Sequence, residues 1–316
     1  MSVEFTFVPQ DHEAETAASS PGAFFFDPAA TRITLSRAAE AGFHQVLIDD
    51  SVGVLGNIDL AGTVGRIATV GRIAYPLGVL LTHWAGALSP VVAANTLAGL
   101  DAKLGGNLSL RILGDGGDEG QADEAASLRH AAAWQRTDEY LTLLRQLWSN
   151  ASPLDHEGRF YSVQAGALDR GGGQPLDIPI RMSGLSGTAL HVAGRHADMF
   201  ELSAGSITEA KLLIERIREA GARHGRADKI GFALRIHVSD RKFETEQGSH
   251  ASAGRSALSL LPYIDAGVSE FMVSGISGET SFERFSQWIA PLQRSWRSER
   301  LANTGATPFS AVRLRL

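Results

Sequence analysis

The sequence predicts an α/β chain built as a (β/α)8 TIM barrel with insertion segments. Short apolar runs alternate with longer helical patterns along most of its length, the signature of βα units. Eight such runs occur, and most are continuously apolar, as parallel strands covered on both faces should be. The 316 residues suit one barrel domain spanning residues 1–316.

The strands are expected at Val3–Val8, Gln45–Asp49, Ala74–Leu81, Leu108–Leu113, Ile178–Met182, Met199–Ser203, Gly231–Val238 and Glu270–Ser274. Helices are expected between them. Thr31–Ala41 stops at Gly42, and Pro90–Leu104 starts behind Ser89, an N-cap candidate, and stops at Gly105-Gly106. Ser127–Ser149 is long and amphipathic, and Thr188–Gly194, Thr208–Gly221, Gly254–Ala266 and Ser281–Leu292 complete the set. Two segments break the rhythm. Residues 9–30 read as a long first loop, and residues 151–177 as a hairpin inserted between the fourth and fifth units. The tail from about residue 298 to 316 has no pattern.

Composition narrows the function. A net charge of −6 gives no basic footprint for nucleic acid. The absence of cysteine excludes disulfides, thiolate metal sites and a cysteine nucleophile. No basic and apolar leader is visible, and no apolar run approaches the length of a membrane span. A cytoplasmic enzyme is the expectation.

Barrel sites form at the carboxyl ends of strands. The most informative stretch is Ile230–Asp240, where Arg235 and His237 share one face of an apolar strand, because side chains alternate with period two. Either this is an edge strand with a solvated face, or the charges line a site. Ser183-Gly184-Leu185-Ser186-Gly187, between a strand and a helix, reads as a phosphate cradle or as an ordinary capped turn. Asp115 lies in Gly114–Asp118, which can seat a ligand or merely turn the chain. No metal-ligand spacing is present there, and no metal is expected. His83 and Trp84 can line a pocket or pack as core. Asp11 and His12 follow the first strand, and Asp49 and Asp50 the second. Neither a nucleophile elbow nor the dinucleotide glycine pattern occurs in position.

Four segments in order resemble the bacterial luciferase-like flavin monooxygenases, and within them the alkanesulfonate monooxygenase branch. They are Leu88–Asp101 with its Ser-Pro helix start, the hairpin Asp155–Val163, the entry Ile178–Gly187, and Gly231–Val238 with Arg-x-His. The resemblance implies a barrel that binds reduced FMN supplied by a separate NAD(P)H:flavin reductase. There the flavin reacts with O2 to oxidise a small molecule, in a homo-oligomer, dimer or tetramer. It implies that Arg235 meets an anionic group, that His237 orients neighbours or moves a proton, and that Ser183, Gly184, Ser186 and Gly187 hold the FMN phosphate. Asp115 falls beside that cofactor region. Trp134 stands where relatives carry a phosphate-binding tyrosine, and Asp11 or His12 where they carry an early histidine. Four departures accompany the likeness, the first being that the early histidine of the first-strand loop is shifted to Asp11 or His12. The second-strand loop lacks the branch's cysteine, Trp134 replaces the tyrosine, and residues 241–252 are shorter than the branch's mobile lid. Deazaflavin-dependent hydride transfer, or flavin binding without oxygenase activity, are the alternatives.

Overall fold

The computed structural model describes residues 3–9, 28–49, 53–70, 77–113, 124–150, 152–169, 176–239, 242–245, 257–276 and 278–304. Eight parallel strands close into a barrel: β1 (Glu4–Phe7), β2 (Gln45–Ile48), β3 (Gly78–Trp84), β4 (Leu108–Leu113), β7 (Ile180–Met182), β8 (Met199–Leu202), β9 (Gly231–Ser239) and β11 (Val268–Ser274). The β8–β9 pairing completes the circle. A separate hairpin, β5 (Leu154–Glu157) with β6 (Ser162–Gly166), falls in the expected insertion. An unforeseen strand, β10 (Lys242–Thr245), pairs antiparallel with the end of β9.

Helices α1 (Pro28–Glu40), α2 (Gly53–Val70), α3 (Pro90–Lys103), α4 (Glu124–Ser149), α5 (Gly187–His196), α6 (Ile207–Ala222), α7 (Leu261–Ala266, after a 3-10 turn at Ala257–Leu260) and α8 (Glu279–Thr304) follow the strands. Their buried faces and one face of each strand form the main core, which includes Phe5, Phe7, Val46, Leu81, Leu110, Ile180, Phe200, Leu234 and Phe271. Phe43 stacks on Phe285 with ring centroids 4.6 Å apart, which ties α8 to the first βα unit. Such an offset pair adds about 0.5–1.5 kcal/mol beyond its burial.

Two expectations need correcting. No helix was expected between the second and third strands, yet α2 fills that position. Its glycines lower helix propensity; at Gly65 a Cβ would come within 2.1 Å of Leu104 Cδ2, so the Leu104 side chain packs directly over that position. The tail was expected to lose pattern at about residue 298, yet α8 continues to Thr304. Ser89 does hold the N-cap position of α3, but its side chain makes no capping hydrogen bond. Pro90, in the first turn, sits where a missing N–H costs nothing.

Among the described residues, no helix is long and apolar enough to cross a membrane.

Candidate active site

Strand alternation sorts each strand's side chains into two populations. Odd residues of β3 belong to the helix-facing core, whereas Leu80 joins Val8, Leu47 and Met272 in a small cluster inside the barrel. The same alternation on β4, β7, β8, β9 and β11 turns Arg111, Arg181, Glu201, Arg235 and Glu270 inward. Charges cannot be buried there singly without a large cost, and they are not single.

A chain of ion pairs crosses the lumen. Arg111 Nη1 lies 3.2 Å from Asp49 Oδ1, and its Nε lies 3.0 Å from each oxygen of Glu201. Arg181 Nε lies 3.9 Å from Glu201, and its Nη2 donates to both Glu270 oxygens at 2.8 and 2.7 Å. Thr6 Oγ1 also donates to Glu270. Burial alone would raise the Glu270 carboxyl, but the Arg181 charge and these hydrogen bonds hold it below the usual carboxylate range.

At the carboxyl ends of the strands, Arg111, Ser183, Glu201, Leu202, Ser203, Ala204 and Arg235 line a cavity of about 100 Å³. At roughly 30 Å³ per water, this is space for a group of a few heavy atoms. The lining carries two guanidinium groups, Arg111 and Arg235, and one carboxylate, Glu201, which pairs with Arg111. Arg235 is held in register with Met272 of β11. Strand β9 is flanked by β8 on one side and β11 on the other. It is therefore an interior strand of the barrel rather than an edge, and β10 adds to it only past the end of β8.

His237 shares the lumen face with Arg235. Its Nδ1 is 3.3 Å from Ser274 Oγ, and that hydroxyl donates to the Ile236 carbonyl at 3.3 Å. Ser274 is thus an acceptor toward the ring, with Nδ1 as the donor. Gly275 is required beside it: a Cβ there would come within 2.2 Å of Val238 O and 2.8 Å of His237 Cε1.

The residues Ser183, Gly184, Ser186, Gly187 and Trp134 come together between β7 and α5. Ser186 caps α5, accepting from Ala189 N at 3.1 Å. Gly184 adopts φ +121°, and a Cβ on it would come within 2.9 Å of Ala189 Cβ and 3.3 Å of Trp134. Trp134 Nε1 donates to His130 Nε2 at 3.0 Å, and the same nitrogen is 3.2 Å from Ser186 Oγ. The indole N–H, expected to meet a phosphate, is thereby already used. A Cβ on Gly187 would meet nothing within 4 Å, so the first turn of α5 is open to an approaching anion. The turn's exposed N–H groups and helix dipole suit a phosphate.

The other expected site residues are placed differently. His83 and Trp84 lie within β3 rather than after it. His83 points away from the lumen and is fully buried, with Nε2 2.8 Å from the Tyr140 hydroxyl of α4. Burial lowers its pKa from 6.5 to about 4. Alternation puts Trp84 on the lumen face, two residues after Thr82, which donates to Asp49. Asp11, His12, Asp50 and Asp115 lie outside the described residues. Arg111, Glu201, Ser203 and His130 were not assigned roles from sequence. For Arg111 the signal was present, a lone cation within Leu108-Ser-Leu-Arg-Ile-Leu113, as informative as Arg235 in its strand.

Comparison with known proteins gives concordant results. The model of the luciferase-like monooxygenase family matches residues 4–267. A sulfoquinovose monooxygenase of Agrobacterium fabrum is 25% identical over 222 residues, which cover 69% of this chain and 53% of that protein. The chain thus spans about half the length of this curated relative. Among solved structures, a riboflavin lyase with modified FMN and riboflavin superposes with TM-score 0.71 at 14% identity, covering 94% of this chain and 92% of the other. A coenzyme F420-dependent tetrahydromethanopterin reductase of Methanopyrus kandleri gives 0.63 at 14% identity, covering 92% and 99%. At these identities the structural likenesses establish the barrel fold.

Proposed function

Since the chain belongs to the luciferase-like monooxygenase family, we propose that it is an FMN-dependent, two-component monooxygenase acting on a small anionic organic molecule, organosulfur compounds included. A separate NAD(P)H:flavin reductase would supply reduced FMN. The observation that carries this reading is the cavity where Arg111, Arg235, Ser183 and Ser203 meet, next to the open first turn of α5.

The residues present fit a flavin phosphate. Gly184, Ser186 and Gly187 form a turn whose shape Ala189 and Trp134 enforce, at the N-terminal end of α5, where Ser186 caps Ala189 N and Gly187 is open. Bound reduced flavin would supply the oxygen-activating redox chemistry. The chain's own tasks are positioning and charge. Arg235, always cationic and with several donors, binds an oxyanionic group on the substrate or steadies negative charge that develops beside it. Glu201 grips Arg111 through both carboxylate oxygens, so that guanidinium is fixed before substrate arrives and little entropy is lost on binding. His237, whose Nδ1 meets Ser274, shares the lumen face with Arg235 and would orient neighbours or move a proton at the mouth of the barrel. The relative that acts on a sulfonated sugar, by its name, supports a sulfonate as the first anion to try.

The test is anaerobic titration with reduced FMN, with oxidised FMN and reduced deazaflavin as controls, then turnover under oxygen-18 gas. Saturable preference for reduced FMN and label in the product are expected. Preference for the deazaflavin, with turnover lacking oxygen, would replace this reading with hydride transfer. Binding of no flavin would make the barrel a family member with a lost cofactor site.

A further inference from the structure

The opposite end of the barrel carries a second group of convergent side chains that the proposed chemistry does not use. Glu4 opens β1, and Glu270 lies beside it in the β1–β11 register. His44 precedes β2 directly. The ring is fixed, because Nδ1 lies 2.7 Å from the Phe5 carbonyl oxygen. A carbonyl only accepts, so Nδ1 carries the proton and Nε2 of the neutral ring presents a lone pair. A histidine oriented by a backbone carbonyl through its other nitrogen is the usual arrangement behind a metal-ligating imidazole. His44 Nε2 is buried and makes no hydrogen bond. It faces Glu4 Oε2 at 3.3 Å and Glu270 Oε2 at 3.9 Å. One ligand atom from each of the three residues lies within 4.8 Å of the others.

We propose that Glu4, His44 and Glu270 form a site for a divalent transition-metal cation, of which zinc is the type, at the amino-terminal end of the barrel. Three arguments support a cation over a shared proton. A charge-assisted N–H···O bond is about 2.7–2.9 Å, shorter than either separation here. Nitrogen and oxygen ligands about 2.0–2.1 Å from a tetrahedral ion stand about 3.3–3.4 Å apart, which the 3.3 Å from His44 to Glu4 matches and which the 3.9 Å to Glu270 would reach by closing about 0.5 Å. The base of the barrel is also out of balance. Arg181 pairs with Glu270, whereas Glu4, among the described residues, faces His44, so its carboxylate leaves negative charge for a cation to offset. Arg181 meets Glu270 through Nη2, and Glu270 keeps a face toward His44. Glu4 is about half exposed, which gives the ion an entry path and leaves a coordination position for water. One nitrogen and two carboxylate oxygens suit zinc, manganese, cobalt or nickel more than calcium.

The experiment uses the full-length protein, stripped with chelator and exchanged into metal-free buffer. It is titrated with Zn2+ by calorimetry and with Co2+ by visible absorption. One saturable equivalent is expected, together with a cobalt spectrum of low coordination number and a rise in Tm on adding Zn2+. Glu4→Gln, at an exposed position that does not threaten folding, should weaken binding at least tenfold, and His44→Gln should abolish the spectrum. Reduced-FMN affinity, set at the other end of the barrel, should not change in either variant. Absence of a saturable equivalent, or equal binding by wild type and both variants, would overturn the proposal while leaving the flavin reading untouched.

Discussion

His83 makes stability pH-dependent in a way that can be worked out. The ring is sealed between β3 and α4, and its pKa falls from 6.5 to about 4 because burial penalises the imidazolium. The unfolded chain therefore holds one more proton than the native state between those values. Stability from this group is fully present above pH 6.5, declines as pH falls, and stops declining below about 4, where both states are protonated. The loss between pH 7 and pH 5 comes to about 2 kcal/mol, and the full loss to about 3.4 kcal/mol. His83→Gln keeps an amide able to meet the Tyr140 hydroxyl but removes the titration. Urea unfolding of both proteins at pH 7, 6 and 5 isolates the effect, because every other group cancels in the difference. The variant should lose about 2 kcal/mol less than wild type over that interval. Parallel pH profiles for the two proteins would refute the reasoning and show that His83 titrates alike folded and unfolded.

Other perturbations test separate parts of the account. Arg181→Met leaves Glu270 charged in the lumen and should cost about 3–5 kcal/mol in urea unfolding; adding Glu270→Gln should recover part of that loss. Gly184→Ala forces a side chain onto φ +121° against Ala189. It should weaken reduced-FMN binding at least tenfold in anaerobic titration, with a stability cost of about 1–3 kcal/mol. Glu139 accepts from the backbone N–H groups of Phe160 and Tyr161 and holds the β5–β6 hairpin on α4; Glu139→Gln should make that hairpin the first site cut in limited proteolysis. Arg235→Met should lower kcat/KM for an anionic substrate about 10- to 100-fold, by loss of a charged hydrogen bond worth about 1.5–3 kcal/mol, and much less for a neutral analogue.

The barrel was legible because its strands are continuous apolar runs set between helices, and at this length few folds besides a closed parallel barrel bury so many of them. What escaped had a local pattern that pointed elsewhere. Helix α2 carries four glycines, Gly53, Gly56, Gly62 and Gly65, which lower its local helix propensity. Strand β10 has four residues, too few for a period to declare itself.

The site was half legible for a deeper reason. A lone charge in an apolar strand occurs not only at Arg235 but at Arg111, Arg181, Glu201 and Glu270, and in every case alternation turns it into the lumen. Period two therefore says which face a residue takes. It does not say how high in the barrel it stands, because height depends on strand tilt and stagger, which are properties of the closed sheet. Arg111 and Arg235 stand at the mouth and line the cavity. Arg181 and Glu270 stand lower, paired to each other, and Glu270 reaches toward His44 at the base. Identical local signals thus divide into a cavity-lining set and a set paired below it only after the barrel closes. His83 shows the converse error. Its neighbours suggested a pocket, but one step in a strand reverses the face, and the ring ends against Tyr140 instead.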